Sequence, residues 1–222
     1  MTVTIHAVSP TDLTREEIER WRAMPVAVAV DLAPESQVDP AIRPINPPGR
    51  QPKLFGRAVT ALCMPPDFGA ALHALEHVGA GEVLMIAAAG NATTAMIGEI
   101  LSGHLRSRGA AGVVCDGAVR DVATLSAWPD FSVFSRSITP RGPTSAEGGA
   151  INATVTIGGR RVTPGDLVIG DDDGLVVLSP AAVRARIGDA EARLARETEW
   201  VRSLAAGRSV AQTFGLPPAQ DA

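Results

Sequence analysis

What most constrains this chain is an alternation that begins near residue 58, in which short β-rich apolar runs are separated by stretches of helical pattern. The runs at residues 58–63, 83–88, 112–115 and 131–134 are too short for buried helices and rich in the residues that suit a pleated surface. Strands that alternate with helices predict parallel pairing through crossover connections, which is α/β architecture. Residues 150–178 break the alternation. They read as consecutive strands, with turns at Gly158-Gly159, at Pro164-Gly165-Asp166 and from Asp171 to Gly174. Mixed sheets are therefore expected rather than a purely doubly wound one. The chain has 222 residues and no internal break in composition, so it reads as one unit.

Both ends of that unit carry helix signals. Thr14 and Glu17 have capping-box spacing, which predicts a short helix ending near Trp21. Beyond it Pro34, Pro40, Pro44, Pro47, Pro48 and Pro52 each fix φ and remove a donor, so residues 34–52 should be an arm or loop without regular structure. Ser179 as N-cap with Pro180 behind it predicts a last helix, on which Val183, Ile187, Ala190, Leu194, Val201 and Leu204 recur at helical spacing. The expected organisation is an N-terminal helix and Pro-rich arm over 1–52, belonging to the same unit as a main domain over 53–222.

Several function classes are excluded early. A formal charge of -4 disfavours a phosphate-binding surface, so no nucleic-acid partner is expected. The N-terminus has neither a basic start nor a long apolar core, and no apolar run reaches about 18 residues, so the reading is a soluble cytoplasmic protein without a membrane partner. Cys63 and Cys115 lie in apolar runs and read as buried reduced thiols. Lys53 is the only lysine and sits at the end of the arm, where it reads as a solvated charge. Imine chemistry then has almost no candidate, and work beside a carbonyl would need a metal and hydrogen-bond donors instead.

The motifs divide unevenly. His73 to His77 matches a pattern that places two histidines on one helix face around zinc, but two surface histidines on an amphipathic helix explain it better. Asp171-Asp172-Asp173-Gly174 reads as a hairpin turn rather than a cation site. The stronger constellation is Glu99 with Arg120 and Asp121. A helix from Glu99 to Arg108, a stop at Gly109 and the strand at 112–115 would return the chain so that the turn after Cys115 lies beside the helix start. Two carboxylates and a guanidinium would then share a small site with free helix amides. Arg120 suits a carboxylate or carbonyl, and Asp121 a hard divalent cation. An Arg-Asp pair is also a common structural salt bridge, and that reading stays open on spacing alone.

The stretch GEILSGHLRSRGAAGVVCDGAVRDVATL, with LFGRAVT, GEVLMIAAAG, FSVFSRSITPRG and VTPGDLVIGDDDGLVVLS, resembles the class II 4-hydroxy-4-methyl-2-oxoglutarate aldolase family, which also contains the regulator of ribonuclease E activity A. The resemblance covers roughly residues 53–204. It implies a β/β/α swivelling-domain-like sandwich with mixed sheets, assembled as a homotrimer or hexamer with sites between subunits. It implies Mg²⁺ or Mn²⁺ held by Asp121, Glu99 acting through water on that ion, and Arg120 on the C2 oxygen of a pyruvate-like 2-oxoacid. The amides of Gly98, Glu99, Ile100 and Leu101 would receive the substrate carboxylate. The implied activity is cleavage of 4-hydroxy-4-methyl-2-oxoglutarate-type 2-oxoacids to pyruvate, with oxaloacetate decarboxylation through the same pyruvate enolate. The alternative within the family is a non-catalytic regulator that binds a protein such as a ribonuclease. PPDFGA and Pro143 depart from the family pattern.

Overall fold

A computed structural model describes residues 2–8, 11 and 13–217; Met1 and residues 218–222, the outer ends of the two expected ranges, lie outside them. In chain order the elements are β1 (Thr4–Ile5), α1 (Arg15–Trp21), α2 (Val26–Leu32), a 3₁₀ turn (Pro34–Ser36), β2 (Arg43–Pro44), β3 (Leu54–Leu62), α3 (Gly69–Ala74) and β4 (Glu82–Ile97). They continue with α4 (Glu99–Ser107), β5 (Gly112–Val119), α5 (Val122–Leu125), β6 (Ser132–Ile138), β7 (Ala150–Ile151), β8 (Val155–Ile157) and β9 (Arg160–Val162). The last are β10 (Leu167–Asp171), β11 (Gly174–Leu178), α6 (Pro180–Ala205) and α7 (Val210–Phe214).

The fold is mixed α/β, as the alternation predicts. Strands β3, β4, β5 and β6 are parallel neighbours, and the sheet runs β1-β7-β3-β4-β5-β6-β2. The hairpin β10–β11 joins it antiparallel along the first half of β3, and β8–β9 forms a separate two-stranded sheet. One core lies on the side of the sheet covered by α3, α4 and α5, around Ile86, Met96, Leu105 and Phe131. A second joins α1, α2 and α6 to β10 and β11 through Trp21, Ile169, Val176 and Val183. The Trp21 indole is fully buried and donates to the Val183 carbonyl at 3.1 Å, which removes the cost of an unpaired N–H.

The helix signals act as read. Thr14 and Glu17 form the reciprocal capping box of α1, and Ser179 caps α6 ahead of Pro180. The Asp171–Gly174 turn closes the β10–β11 hairpin. Two expectations fail. Residues 34–52 hold a 3₁₀ turn and the strand β2, which pairs with β6 at Arg43↔Ser135 and Pro44↔Phe134. Its outer position explains why proline is tolerated there: the missing donor leaves no ladder bond unmade. Lys53 is not simply solvated, since its ammonium donates to the Met24 carbonyl at 2.7 Å and partial desolvation lowers its pKa. Helix α2 also arises where no cap was legible, its N-cap being Pro25 without a side-chain bond.

Candidate functional site

The site forms where β4 and β5 end side by side. Ile97 and Val119 are the last paired residues, so the next residues of each strand, Gly98-Glu99 and Arg120-Asp121, emerge together. The strand β5 continues four residues past the expected Cys115, which makes DGAV strand rather than turn. Asp116, the first carboxylate of DGAVRD, is buried and committed to structure: it accepts from Arg136 Nε at 2.6 Å and the Gly158 amide at 2.7 Å. Arg136 also binds Asp39 at 2.8 Å, tying the Pro-rich arm to the sheet.

Asp121 is different. Its backbone is left-handed at φ 59°, ψ 35°, a conformation that aspartate tolerates better than most residues, and its side chain is partly exposed. Asp121 Oδ2 accepts the Glu99 amide at 3.0 Å and lies 3.5 Å from Arg120 Nε. Oδ1 has no hydrogen-bond partner among the described residues. Gly98 makes this closeness possible, because a Cβ there would stand 2.3 Å from Asp121 Oδ2 and 2.8 Å from Arg120 Cγ. The structure thus brings Arg120 and Asp121 together against the backbone of Glu99 at the start of α4, the contact running through the Glu99 amide and not through its carboxylate. One detail differs from expectation: the Glu99 amide is already taken by Asp121. The Ile100 and Leu101 amides, in the first turn of α4, have no intrahelical acceptor.

Arg120 and Asp121 face a small cavity of about 40 Å³, whose other walls include Phe68, Met96, Ile97, Leu101 and Pro143. Phe68 and Pro143 were not expected there. They come from loops that follow β3 and β6, and only chain-distant packing brings those loops together. Gly142 lies under the guanidinium, where a Cβ would meet Arg120 Nη1 at 2.7 Å. The side chain of Ile100 is 81% exposed at the rim, which leaves an apolar surface beside the site.

No three His, Cys, Asp or Glu side chains gather among the described residues. The partly exposed Asp121 carboxylate still suits a hard cation such as Mg²⁺, which uses as few as one or two carboxylates and keeps several waters. His73 is in the last turn of α3 and His77 lies beyond it, both exposed, while Glu76 faces His104 at 3.7 Å and Arg108 at 3.6 Å. The thiols are poor nucleophiles: burial pushes Cys63 up to about 12 and Cys115 well above the usual thiol range. Among the described residues no helix is long and apolar enough to cross a membrane.

Known proteins share this arrangement of chain. A family model described as RraA-like, Aldolase/RraA, matches residues 26–177. A protein of Halalkalibacterium halodurans, provisionally named 4-hydroxy-4-methyl-2-oxoglutarate aldolase, is 32% identical over 162 residues, 72% of this chain and 75% of that protein. Among solved structures, the RNA-processing inhibitor RraA from Thermus thermophilis is 28% identical with TM-score 0.61, covering 69% of this chain and 92% of its own. Streptomyces coelicolor RraAS2, described as an unusual member of the RNase ES inhibitor RraA family, is 26% identical with TM-score 0.72, covering 83% and 96%. With a model spanning most of its length and a relative of this similarity, the chain belongs to the RraA-like family.

Proposed function

We propose that the protein is a divalent-metal-dependent lyase of cytoplasmic metabolism. It cleaves 4-hydroxy-4-methyl-2-oxoglutarate-type 2-oxoacids to pyruvate and decarboxylates oxaloacetate through a common pyruvate enolate. The observation that carries this reading is the meeting of Arg120 and Asp121 at the first turn of α4, where Asp121 accepts the Glu99 amide. The name of the Halalkalibacterium relative supports it.

Each residue has a task in that reading. The Ile100 and Leu101 amides bind the substrate carboxylate at the positive end of the helix, and Gly98 gives room for Asp121 and Arg120 to stand beside it. Arg120 donates to the oxygen at C2, where negative charge grows as the C3–C4 bond breaks. Asp121 and Glu99 hold Mg²⁺ or Mn²⁺, which when bound supplies the electron sink that this chain's side chains lack. In the retro-aldol case the C4 hydroxyl gives up its proton as the bond pair moves to C3, and C3 is then protonated. In decarboxylation the same pair is left behind by CO₂.

A homotrimer or hexamer belongs to the same proposal, supported by the apolar side chains that α6 and α7 leave exposed, Val201, Leu204, Val210 and Phe214. The second reading, a regulator that binds a ribonuclease-like protein, draws on the names of the solved neighbours and on exposed Ile100. One assay separates them: coupled pyruvate release from oxaloacetate and from 4-hydroxy-4-methyl-2-oxoglutarate, with Mg²⁺ or with EDTA. Wild-type protein releases pyruvate only with metal. Asp121→Asn, which tolerates the left-handed backbone while removing the charge, loses at least about 100-fold. Metal-independent release, or full activity in Asp121→Asn, sinks the lyase assignment, and no release from any substrate favours the regulator.

A further inference from the structure

The loop at residues 139–149 is long and irregular, yet it supplies Gly142 under Arg120 and Pro143 to the cavity wall. Something must hold it in place. At its near end the Thr139 amide donates to the Val119 carbonyl at 3.1 Å, and the Arg141 carbonyl accepts from the Ala95 amide at 2.8 Å. Its far end converges on one carboxylate. Asp67 Oδ1 accepts the Gly69 amide at 2.8 Å and the Gly148 amide at 3.1 Å, while Oδ2 accepts the Glu147 amide at 2.8 Å and the Ser145 hydroxyl. Backbone bonds continue the seam: Thr144 to Pro66, Phe68 to Ser145 and Ala70 to Gly148, each donor amide 3.0 or 3.1 Å from its carbonyl. The residue after Asp67 is Phe68, which lines the same cavity.

We infer that Asp67 is a positioning residue for the 2-oxoacid site, a clamp that joins the loop after β3 to the loop after β6 and so fixes the surface on which the Arg120 guanidinium lies. The inference rests on the lyase reading for its kinetic consequence, but its structural part stands on the four donors. Those donors, the Ser145 hydroxyl foremost, hold the Asp67 carboxyl well below the usual carboxylate range. A group with a depressed folded pKa stabilises above its unfolded pKa and loses that contribution only as pH falls through the folded value. The clamp is accordingly closed throughout the neutral range. Asparagine cannot replace it, because its NH₂, whichever way the amide is turned, sets a donor against the backbone N–H of Glu147 or against those of Gly69 and Gly148.

The test compares Asp67→Asn, Ser145→Ala and, as a control, Asp166→Asn, which removes a turn-bracing carboxylate bonded to the Thr163 amide beside the middle of β3 and outside the seam between the two loops. Steady-state oxaloacetate decarboxylation with Mg²⁺ gives kcat and KM, and trypsin cleavage after Arg141 reports on the loop itself. Asp67→Asn should lower kcat/KM at least about tenfold, with KM raised because Arg120 is misplaced on the substrate. It should also accelerate cleavage after Arg141. Ser145→Ala should shift both readouts in the same direction by less, and Asp166→Asn should shift neither. Unchanged kcat/KM in a folded Asp67→Asn overturns the inference, as does a control that loses activity equally. If Asp67→Asn fails to fold, Ser145→Ala decides on the same two readouts. If wild-type protein releases no pyruvate, the lyase reading has failed, and the trypsin rates alone support or overturn the clamp.

Discussion

Gly98 shows how a single missing carbon builds the site. Its φ of −149° is extended backbone that any residue adopts, so conformation does not require glycine here; space does. Asp121 Oδ2 occupies the position where a side chain would begin, and Arg120 Cγ closes the other side. Neither neighbour gives way cheaply. Asp121 is anchored to the Glu99 amide and held in a left-handed backbone, and Arg120 is backed by Gly142. Gly98→Ala should therefore leave the chain folded but push both side chains off their positions. A shift near 1 Å at groups that must meet a reacting carbonyl costs about 100-fold in rate. The measurement is pyruvate release against thermal melting: a fall in kcat/KM of that order with only a small change in Tm is expected, and near-normal turnover in the alanine variant would refute the close-approach argument.

At the scale of elements, the sequence was readable wherever the signal was local. The capping box of α1, the Ser179-Pro180 start of α6 and the Asp171–Gly174 hairpin each reside within a few residues, and each formed as read. What depended on distant partners was not readable. Strand β4 runs on to Ile97 although the apolar run read as a strand stops at Ala88, because residues Asn91, Ala95 and Ile97 find Gly117, Ala118 and Val119 through successive register shifts. The site inherits the same division. Glu99, Arg120 and Asp121 could be named from spacing and resemblance, whereas Phe68 and the Asp67 clamp act through a loop some eighty residues away. Helix α6 carries a testable version of the contrast between local pattern and packing. Its apolar positions recur along its whole length, yet Ile187 is buried against the body while Val201 is 68% exposed. Ile187→Ala should destabilise by about 2–4 kcal/mol through lost burial and a residual cavity. Val201→Ala, in the same helix, should stay within about 0.5 kcal/mol in the isolated subunit. Urea unfolding at low protein concentration reads both, and equal losses would mean that the periodic pattern, not the observed packing, sets the energy.

Across the whole molecule the proposed site lies at one end of the parallel strands and the only lysine at the other. Lys53 immediately precedes β3, whose pairing with β4 starts at Arg57↔Glu82, while Arg120 and Asp121 follow the last pair of β4 and β5. Its ammonium is turned to the Met24 carbonyl, a bond that ties the segment between α1 and α2 to the start of the sheet. Partial desolvation lowers its pKa, which on its own would favour an amine nucleophile, so position rather than basicity is the deciding argument. An imine at Lys53 would place the substrate far along the strands from Arg120 and from the α4 amides. Lys53→Met should accordingly lose the Met24 bond, worth about 1 kcal/mol, and melt slightly earlier. Pyruvate release from oxaloacetate should remain at the wild-type rate, and borohydride added during turnover should trap no substrate on the chain. EDTA should stop the reaction in wild-type and variant alike, and added Mg²⁺ or Mn²⁺ should restore both. A covalent adduct at Lys53 found by mass spectrometry, together with a rate indifferent to EDTA, would show that the two ends of the sheet have been assigned the wrong way round.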